Sequence, residues 1–326
     1  MKNVLLLLGD SFFLTRPVVL IPVWGFCLFG YYRAFDVRIT GLPDLWRAAD
    51  PMVLVWSMVF SLSVGCVFVL NQIADVEVDK NNHGLPLIAS GVISRRAAFL
   101  TAALAGFVSI VVPFSLNRPV ISLFSIVSIV IGALYSFRPA YLSGRPFSDF
   151  LTNAAGAAFI AFGIGWHLAG RPLADPAFLP AALPYFFLMC AGAISSTIPD
   201  INGDRGGGKR TTAVAIGAKK ANYLATVFIM AAALCALTAR DPIALTCAVA
   251  SLPFYLLYTF KPKEIFAEAT YKIGGAVCMV AAAAIMPLFL LCGGATALAT
   301  WMYFRFRHGV GYPSLVPCKK SHGSHG

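Results

Sequence analysis

The sequence is poor in charged side chains. Only 12% of its 326 residues are Asp, Glu, Lys or Arg, whereas 59% are hydrophobic. A water-soluble domain carries about 25% charged residues, so this chain cannot cover a surface that faces water. Most of its exterior is therefore expected to face membrane lipids. No polar linker divides the chain, which predicts one continuous helical bundle rather than separate domains.

Signals typical of several other protein classes are also missing. Residues 1–8 form a short apolar stretch without the basic start and cleavage site of a secretory signal, so the first long apolar run is expected to be retained. The cysteines stand singly, without the CxxC spacing of a metal site. The net charge is +11, but no segment has the pattern of a nucleic-acid reader. No nucleic-acid partner is therefore expected.

Long apolar runs are the main feature that is present. A membrane-spanning helix needs about 20 such residues, and the last run could continue toward residue 303. The runs that meet this need are 17–32, 52–70, 97–114, 120–137, 150–169, 180–199, 221–238, 242–260 and 273–291. They predict an all-α polytopic membrane bundle of about nine transmembrane helices around a central cavity, in one domain at 1–304. The polar residues 305–326 are predicted to be a disordered tail.

The distribution of Lys and Arg predicts the orientation. If the N-terminus is cytoplasmic, roughly twice as many basic residues fall in loops on that side as on the other, as expected for cytoplasmic loops. This favours an integral multi-pass protein of the cell (inner) membrane. An odd number of spans would place the C-terminus on the opposite side.

Two short segments hold a large share of the few acidic residues. The chain has 14 Asp and Glu, and the segments 71–80 and 200–205 each contain two aspartates four residues apart. On a helix this spacing places both carboxylates on one face. The aspartates are Asp75 and Asp79 in the first segment and Asp200 and Asp204 in the second. Asn71 lies one turn before Asp75 on the same predicted face.

The chemistry of these segments favours a metal-bridged diphosphate. Adjacent carboxylates repel each other unless a cation compensates them, and Mg²⁺ is commonly shared between a few carboxylates and substrate phosphates. Lys80, Arg205 and Lys209 stand beside the acids, as expected where a phosphate group also binds. Four spans separate the segments, so both face the same side and can share one cavity. The glycines at 206–208 lack the Lys-Ser/Thr ending of a P-loop and are interpreted as a connector.

The acidic segments resemble those of the UbiA superfamily of intramembrane prenyltransferases. The family pattern N-D-x-x-D-x-x-x-D is matched at 71–79, with Gln72 in place of its first Asp. The pattern D-x-x-G-D-R, followed by a Gly-rich loop and Lys/Arg-Thr, is matched at 200–211. Residues 15–17 (Thr-Arg-Pro), 134–139, 144–146 and 149 fit as well. The resemblance runs from about Arg16 to the ninth span.

The resemblance implies Mg²⁺-dependent transfer of a prenyl group from a prenyl diphosphate to a hydrophobic, lipid-soluble acceptor, such as an aromatic quinone precursor. Asn71 would ligate the metal or orient a carboxylate, and Tyr135 would shield the allylic cation or bond the diphosphate. The implied metal ligands are Asp75, Asp79, Asp200 and Asp204. The implied diphosphate-binding residues are Lys80, Tyr135, Arg138, Arg205 and Lys209.

Some positions depart from the family pattern or leave a role open. Tyr141 and Ser143 stand roughly where many members have a basic pair, and Arg138 or Arg145 would supply that charge. His83 is either a base for the acceptor or a solvated loop residue. Asp149 opens the fifth span, as a helix N-cap or a site residue.

Three other functions stay open at this point. A cation-coupled transporter also uses intramembrane acids, but would place them near the midplane in broken helices. A CDP-alcohol phosphotransferase would carry the string D-x-x-D-G-x-x-A-R, which does not occur in this sequence. A non-catalytic relative would bind a prenyl lipid without turning it over.

Overall fold

The structure is a computed structural model that describes residues 2–35, 46, 49–79 and 87–313, without the side chains of residues 2–5, 78 and 79. This part of the chain contains helices and their connections and no β-strand. The helices in chain order are α1 (Lys2–Leu14), α2 (Pro17–Ala34), α3 (Pro51–Ala74), α4 (Val76–Asp79), α5 (Arg95–Ser115), α6 (Pro119–Ser136), α7 (Ser148–Leu168, with a π-helical turn at Ala155–Phe159), α8 (Phe178–Ser196), α9 (Ile201–Gly206), α10 (Thr212–Ile216), α11 (Ala218–Thr238), α12 (Pro242–Phe260), α13 (Glu264–Ile285) and α14 (Pro287–His308).

Ten helices of the described chain are long and apolar enough to cross a membrane, namely α2, α3, α5 to α8 and α11 to α14. The predicted all-α membrane bundle is confirmed, and the approximate number of nine spans is one too low. The difference arises in the run 273–291, which contains the end of α13 and the start of α14. Pro287 is the first residue of α14. Proline cannot continue a helix because it lacks an N–H and clashes with the preceding turn.

The tenth span also changes the position of the C-terminal region. Helix α14 extends to His308, past the boundary predicted at residue 304, and Phe304 is buried. The Arg307 guanidinium lies 3.1 Å from the Asp10 carboxylate of α1. The end of α14 and the N-terminal helix are therefore on the same side, and the expectation of opposite sides is wrong. Residues 314–326 of the predicted tail lie outside the described residues.

On α11, small residues face the interior of the bundle and large apolar residues face outward. On α11, Ala225 and Ala232 are fully buried, whereas Leu234 is 63% exposed. Lipid tails are as apolar as a leucine side chain, so the hydrophobic effect does not bring helices together inside a membrane. Membrane helices associate through close packing instead. The outward leucines are expected to meet lipid, while the alanines let neighbouring helices approach.

The closest approach lies between α2 and α7. A Cβ atom at Gly30 would lie 1.9 Å from the carbonyl oxygen of Phe162, and a Cβ at Gly165 would lie 1.8 Å from that of Cys27. Both obstacles are backbone atoms, which cannot move aside without moving a helix. Glycine is therefore required at both positions. This contact holds α2 against α7, the helix whose first turn contains Asp149.

The two acidic segments occupy equivalent places in the chain order. Helix α3 leads into the short helix α4, and helix α8 leads into the short helix α9. The short helices α4 and α9 contact each other. The prediction that both acidic segments lie on the same side of the bundle is therefore confirmed. An internal duplication stays a prediction.

We predict that Gly30→Ala destabilises the bundle. The added methyl group would overlap the Phe162 carbonyl, and overpacking of this kind costs about 1–3 kcal/mol or more. Thermal unfolding of the purified protein in detergent measures the effect. Gly294→Ala is the matched control, because Gly294 is exposed on α14 and a Cβ there meets no atom of the described chain within 4 Å. Equal unfolding midpoints for Gly30→Ala and the control would contradict the proposed α2–α7 contact.

Candidate active site

The first acidic segment bends at Asp75. Helix α3 ends at Ala74, and Asp75 has φ −98° and ψ 17° before α4 begins. The predicted helical face therefore holds for Asn71 and Asp75 but is interrupted before Asp79. The Asp75 N–H donates to the Asn71 carbonyl at 2.8 Å, and Asn71 Nδ2 donates to Asp75 Oδ2 at 3.1 Å. This contact agrees with one of the two roles predicted for Asn71, the orientation of a carboxylate, and the role stays a prediction.

Three predicted residues of this segment cannot be placed. The side chain of Asp79 and the whole of Lys80 and His83 lie outside the described residues. Their predicted roles stay predictions.

The Asp75 carboxylate is the centre of the site. Only 3% of Asp75 is exposed. Lys209 Nζ donates to Oδ2 at 2.8 Å, and Tyr141 Oη donates to Oδ1 at 3.2 Å. With the Asn71 amide, three donors from three segments of the chain converge on one carboxylate. A buried carboxylate requires such partners, because removing one member of a buried ion pair costs about 3–5 kcal/mol.

Lys209 reaches Asp75 through a turn that only glycine favours. Helix α9 ends in a Schellman arrangement, in which the Lys209 N–H donates to the Asp204 carbonyl at 2.8 Å and the Gly208 N–H to the Arg205 carbonyl at 3.2 Å. Gly208 has φ +73°, a left-handed conformation that glycine adopts without strain. The segment interpreted as a connector therefore has a defined geometry. It reverses the chain and carries Lys209 back to the acids.

The second acidic segment supplies Asp204 beside Lys209. The Asp204 N–H donates to the Asp200 carbonyl at 2.9 Å, so the two residues are one helical turn apart, as predicted. Asp204 is 5% exposed and accepts a hydrogen bond from Thr211 Oγ1 at 3.3 Å. Burial alone would lower the pKa of the Lys209 ammonium, but attraction by Asp75 and Asp204 raises it above its usual value. Lys209 is therefore a permanent cation between the two segments.

The connection between α6 and α7 supplies Tyr141. Tyr141 has φ 43°, and a Cβ at Gly144 would lie 2.3 Å from the Tyr141 ring. Glycine at 144 thus lets the ring lie against the backbone and its hydroxyl reach Asp75. Burial, and next the charge of Asp75, raises the pKa of Tyr141 to about 12. The hydroxyl therefore stays protonated as a donor at neutral pH.

Asp149 anchors the loop that follows Lys209. Its carboxylate accepts hydrogen bonds from the Thr212 N–H at 2.7 Å and from Thr212 Oγ1 at 2.5 Å. The Phe147 N–H in turn donates to Thr212 Oγ1 at 2.7 Å. The N-cap interpretation is wrong because Phe147 occupies the cap position. Asp149 instead fixes the start of α7 to the start of α10.

The remaining predicted residues surround this cluster. Tyr135 lies on the last turn of α6, within electrostatic range of Lys209, Asp75 and Asp204. The guanidinium of Arg138 lies 5.9 Å from the centre of the Tyr141 ring, within cation–π range. Arg138 and Arg205 are both exposed, so they flank the buried cluster from its outer side.

A cavity of about 360 Å³ lies among α2, α3, α7, α8, α11, α12 and α13. It provides the predicted central cavity. Phe68, Asn153 and Ser196 line it and stand three or four residues along the chain from Asn71, Asp149 and Asp200 respectively, so the cavity reaches the ends of α3, α7 and α8 that lie next to the acids. Tyr271 of α13 also lines it and lies within electrostatic range of Asp200. Most of the other lining residues are apolar, so the cavity suits a hydrocarbon chain whose polar end reaches the acids.

The acidic end has the donor chemistry of a Mg²⁺–phosphate site rather than of a closed metal cage. Within the described residues, no three His, Cys, Asp or Glu side chains are grouped closely enough to enclose a metal ion. Mg²⁺ does not need such a cage, because it usually binds one or two carboxylates together with substrate phosphates and water. Asp75 and Asp204 provide hard oxygen ligands, and Lys209 occupies the position of a counter-cation.

Sequence reasoning did not identify four contributors to this site. Tyr141 was noted only as a departure from the family pattern, and Thr211 only as a motif match. Thr212 was not singled out. A cavity-lining tyrosine at 271 gave no signal, because a single aromatic residue in an apolar span is usual.

Comparison with known proteins agrees with this architecture. The chain is 29% identical over 210 residues to a 2-acylphloroglucinol 4-prenyltransferase of Humulus lupulus, covering 63% of this chain and 50% of that protein. It is 29% identical over 203 residues to a digeranylgeranylglyceryl phosphate synthase of Methanococcoides burtonii, covering 62% and 69%. The chain thus spans about half the length of the plant relatives it matches.

The fold matches that of a solved membrane protein. A UbiA homolog from Archaeoglobus fulgidus, determined with DMAPP and Mg²⁺ bound, superposes with a TM-score of 0.64 at 20% identity, over 88% of this chain and 98% of that one. The model of the UbiA prenyltransferase family matches residues 19–260, which contain both acidic segments. The chain therefore belongs to the UbiA prenyltransferase family.

Proposed function

We propose that this protein is a Mg²⁺-dependent membrane prenyltransferase that moves a prenyl group from a prenyl diphosphate to a lipid-soluble acceptor. The observation that supports it most strongly is the buried cluster of Asp75, Asp204, Lys209 and Tyr141, together with an apolar cavity whose wall includes residues three or four positions from Asn71 and Asp200. A prenyl diphosphate has the same two parts, a highly charged head and an apolar tail.

Mg²⁺ fits the acidic end by its ligand chemistry. The residues that would hold it are Asp75, Asp79, Asp200 and Asp204. When bound, the ion would neutralise the diphosphate leaving group, which favours its departure.

The protein's own groups would act on the diphosphate and on the allylic carbon. Lys209 would donate a charge-assisted hydrogen bond to a diphosphate oxygen, and Arg138 and Arg205 would approach from the outer side. Asn71 would keep the Asp75 carboxylate in place. The bond between the allylic carbon and the diphosphate oxygen breaks, and the leaving group keeps the electron pair. The acceptor then forms a bond to that carbon and loses a proton.

The cavity would protect the positive charge that develops on the allylic carbon. Its lining is mostly apolar, which keeps water from capturing the cation. Tyr135 on α6 and Tyr271 on α13 lie within electrostatic range of the acidic residues, and an aromatic face attracts a cation. Their position supports a role in shielding the allylic carbon.

The relatives support two acceptor classes. One is named for prenylation of an acylphloroglucinol, and another for synthesis of digeranylgeranylglyceryl phosphate. Both acceptors combine an apolar body with a nucleophilic carbon or hydroxyl group. We therefore propose a lipid-soluble acceptor of this kind, and aromatic acceptors are tested first.

We further propose that the acidic end faces the cytoplasm of a cell whose inner membrane holds the bundle. Basic residues that begin or end spans on the acidic side include Arg95, Lys219 and Arg305. Cytoplasmic ends of membrane helices are enriched in Lys and Arg. Because α14 ends on the acidic side, the basic residues of its last turn add to the positive charge of that side.

The first prediction of the proposal is that Asp75→Ala and Asp204→Ala nearly abolish turnover while the bundle remains folded. Each change removes a carboxylate needed to hold the metal–diphosphate pair. The assay uses purified protein in lipid, radiolabelled prenyl diphosphates, a panel of acceptors, and Mg²⁺ or EDTA. Asp175→Asn is the control, because Asp175 lies in the α7–α8 connection and pairs with Arg171.

Magnesium-dependent label in one lipid-soluble product of the wild-type protein supports prenyl transfer and identifies the acceptor class. Near-normal activity of either alanine variant contradicts the metal-bridged site. Diphosphate binding without turnover of any donor would favour a non-catalytic prenyl-lipid-binding protein. Absence of both binding and turnover would favour a transporter.

A second prediction concerns Lys209. Lys209→Gln should lower kcat/KM for the donor by about 10- to 100-fold, because a hydrogen bond to a charged group contributes about 1.5–3 kcal/mol. Steady-state kinetics with a single acceptor measure it. Lys220→Gln is the control, since Lys220 is exposed at the start of α11 on the same side. If both variants lose activity equally, Lys209 acts only through the overall charge of that surface.

A further inference from the structure

Two glycines of the cavity wall differ from the packing glycines of the bundle. Gly192 on α8 and Gly275 on α13 both line the cavity. Within the described chain, no atom lies within 4 Å of a Cβ built at either position. At Gly30 and Gly165, by contrast, a Cβ would meet a backbone oxygen at less than 2 Å. Close helix packing therefore explains Gly30 and Gly165 but not Gly192 or Gly275.

The presence of glycine inside a helix needs a structural explanation. Glycine is about 1 kcal/mol less favourable than alanine in a helix interior, and neither Gly192 nor Gly275 has the positive φ that would demand it. Because glycine has no side chain beyond a hydrogen atom, both positions leave space in the cavity. A larger side chain at either residue would project into that space.

The two glycines lie at a similar depth below the acids. Gly192 is one helical turn below Ser196, and Gly275 is about one turn below Tyr271. At a rise of 1.5 Å per residue, each step is roughly 6 Å. The cavity continues past this level, because Leu188 lies a further turn down α8 and Phe26 lines it from α2. The glycines therefore line the cavity between its upper part, at Ser196 and Tyr271, and its lower part, at Leu188.

We propose that Gly192 and Gly275 determine the longest prenyl chain that the site accepts. A chain longer than the upper part of the cavity passes between them and occupies the lower part, toward Leu188. The inference rests on the proposed function, since it takes the cavity as the place of the donor's tail. It assigns the protein to long-chain donors of the farnesyl and geranylgeranyl class rather than to dimethylallyl donors.

Binding of donors of graded length tests this inference without depending on turnover. Calorimetric titrations with Mg²⁺ and without acceptor use dimethylallyl, geranyl, farnesyl and geranylgeranyl diphosphates. Gly192→Leu and Gly275→Leu should weaken binding of geranylgeranyl diphosphate by about 10- to 100-fold, the usual scale for a steric change in an apolar pocket. Binding of dimethylallyl diphosphate should not change. Gly192→Ala should have a smaller effect of the same kind.

The matched control is Gly294→Leu, which adds the same side chain to an exposed site on α14 outside the cavity. Binding of inorganic diphosphate reports whether each variant keeps an intact acidic end. Equal weakening for all donor lengths, or no change for any of them, would overturn the proposal. If the wild-type protein binds donors in the expected order but never turns them over, catalysis fails as a proposal and the length inference stands.

Discussion

The burial of the Asp75 carboxylate is the constraint on which the site depends. A carboxylate with 3% exposure at the end of an apolar bundle requires donors and a positive charge. Here Asn71 of the same helix, Tyr141 of the α6–α7 connection and Lys209 of the turn after α9 provide them. Two acidic segments that are far apart in sequence are thereby joined by a single ammonium group.

Several local features follow from that requirement. Gly208 reverses the chain so that Lys209 points back to the acids, and Gly144 leaves room for the Tyr141 ring. Asp149 fixes the beginning of α10 through Thr212. Gly208 and Gly144 act through the backbone and Asp149 acts through its side chain, and none of the three contributes a large apolar contact. A bound diphosphate would compete with the Asp75 carboxylate for the same donors. These donors would therefore stabilise Asp75 before the ligand binds and the anionic ligand afterwards.

The bundle uses glycine in two distinct ways. Between α2 and α7 glycine removes side chains so that two backbones can touch, and this closes the interior. Along α8 and α13, glycine at positions 192 and 275 leaves cavity space that a larger side chain would occupy. The same residue type thus supports both tight packing and an open cavity.

The fold class and the acidic centre of the site could be predicted from the sequence, because apolar runs and rare paired acids are strong local signals. The helix break at Met286–Pro287 was missed because both sides of it are equally apolar. The bend at Asp75 was missed because i, i+4 spacing assumes that the helix continues. Lys209 and Asp75 are 134 positions apart in the sequence, and no local pattern indicates that they pair.

The central claim is that both acidic segments hold one diphosphate above the cavity. The most direct test is an experimental structure of the protein with Mg²⁺ and a prenyl thiolodiphosphate, whose carbon–sulfur bond resists ionisation. The account predicts the diphosphate between Asp75 and Asp204, with Lys209 moved from the carboxylate to a phosphate oxygen and the tail in the cavity lined by Ser196 and Gly192. Diphosphate density bound by only one acidic segment, or a tail outside this cavity, would contradict it.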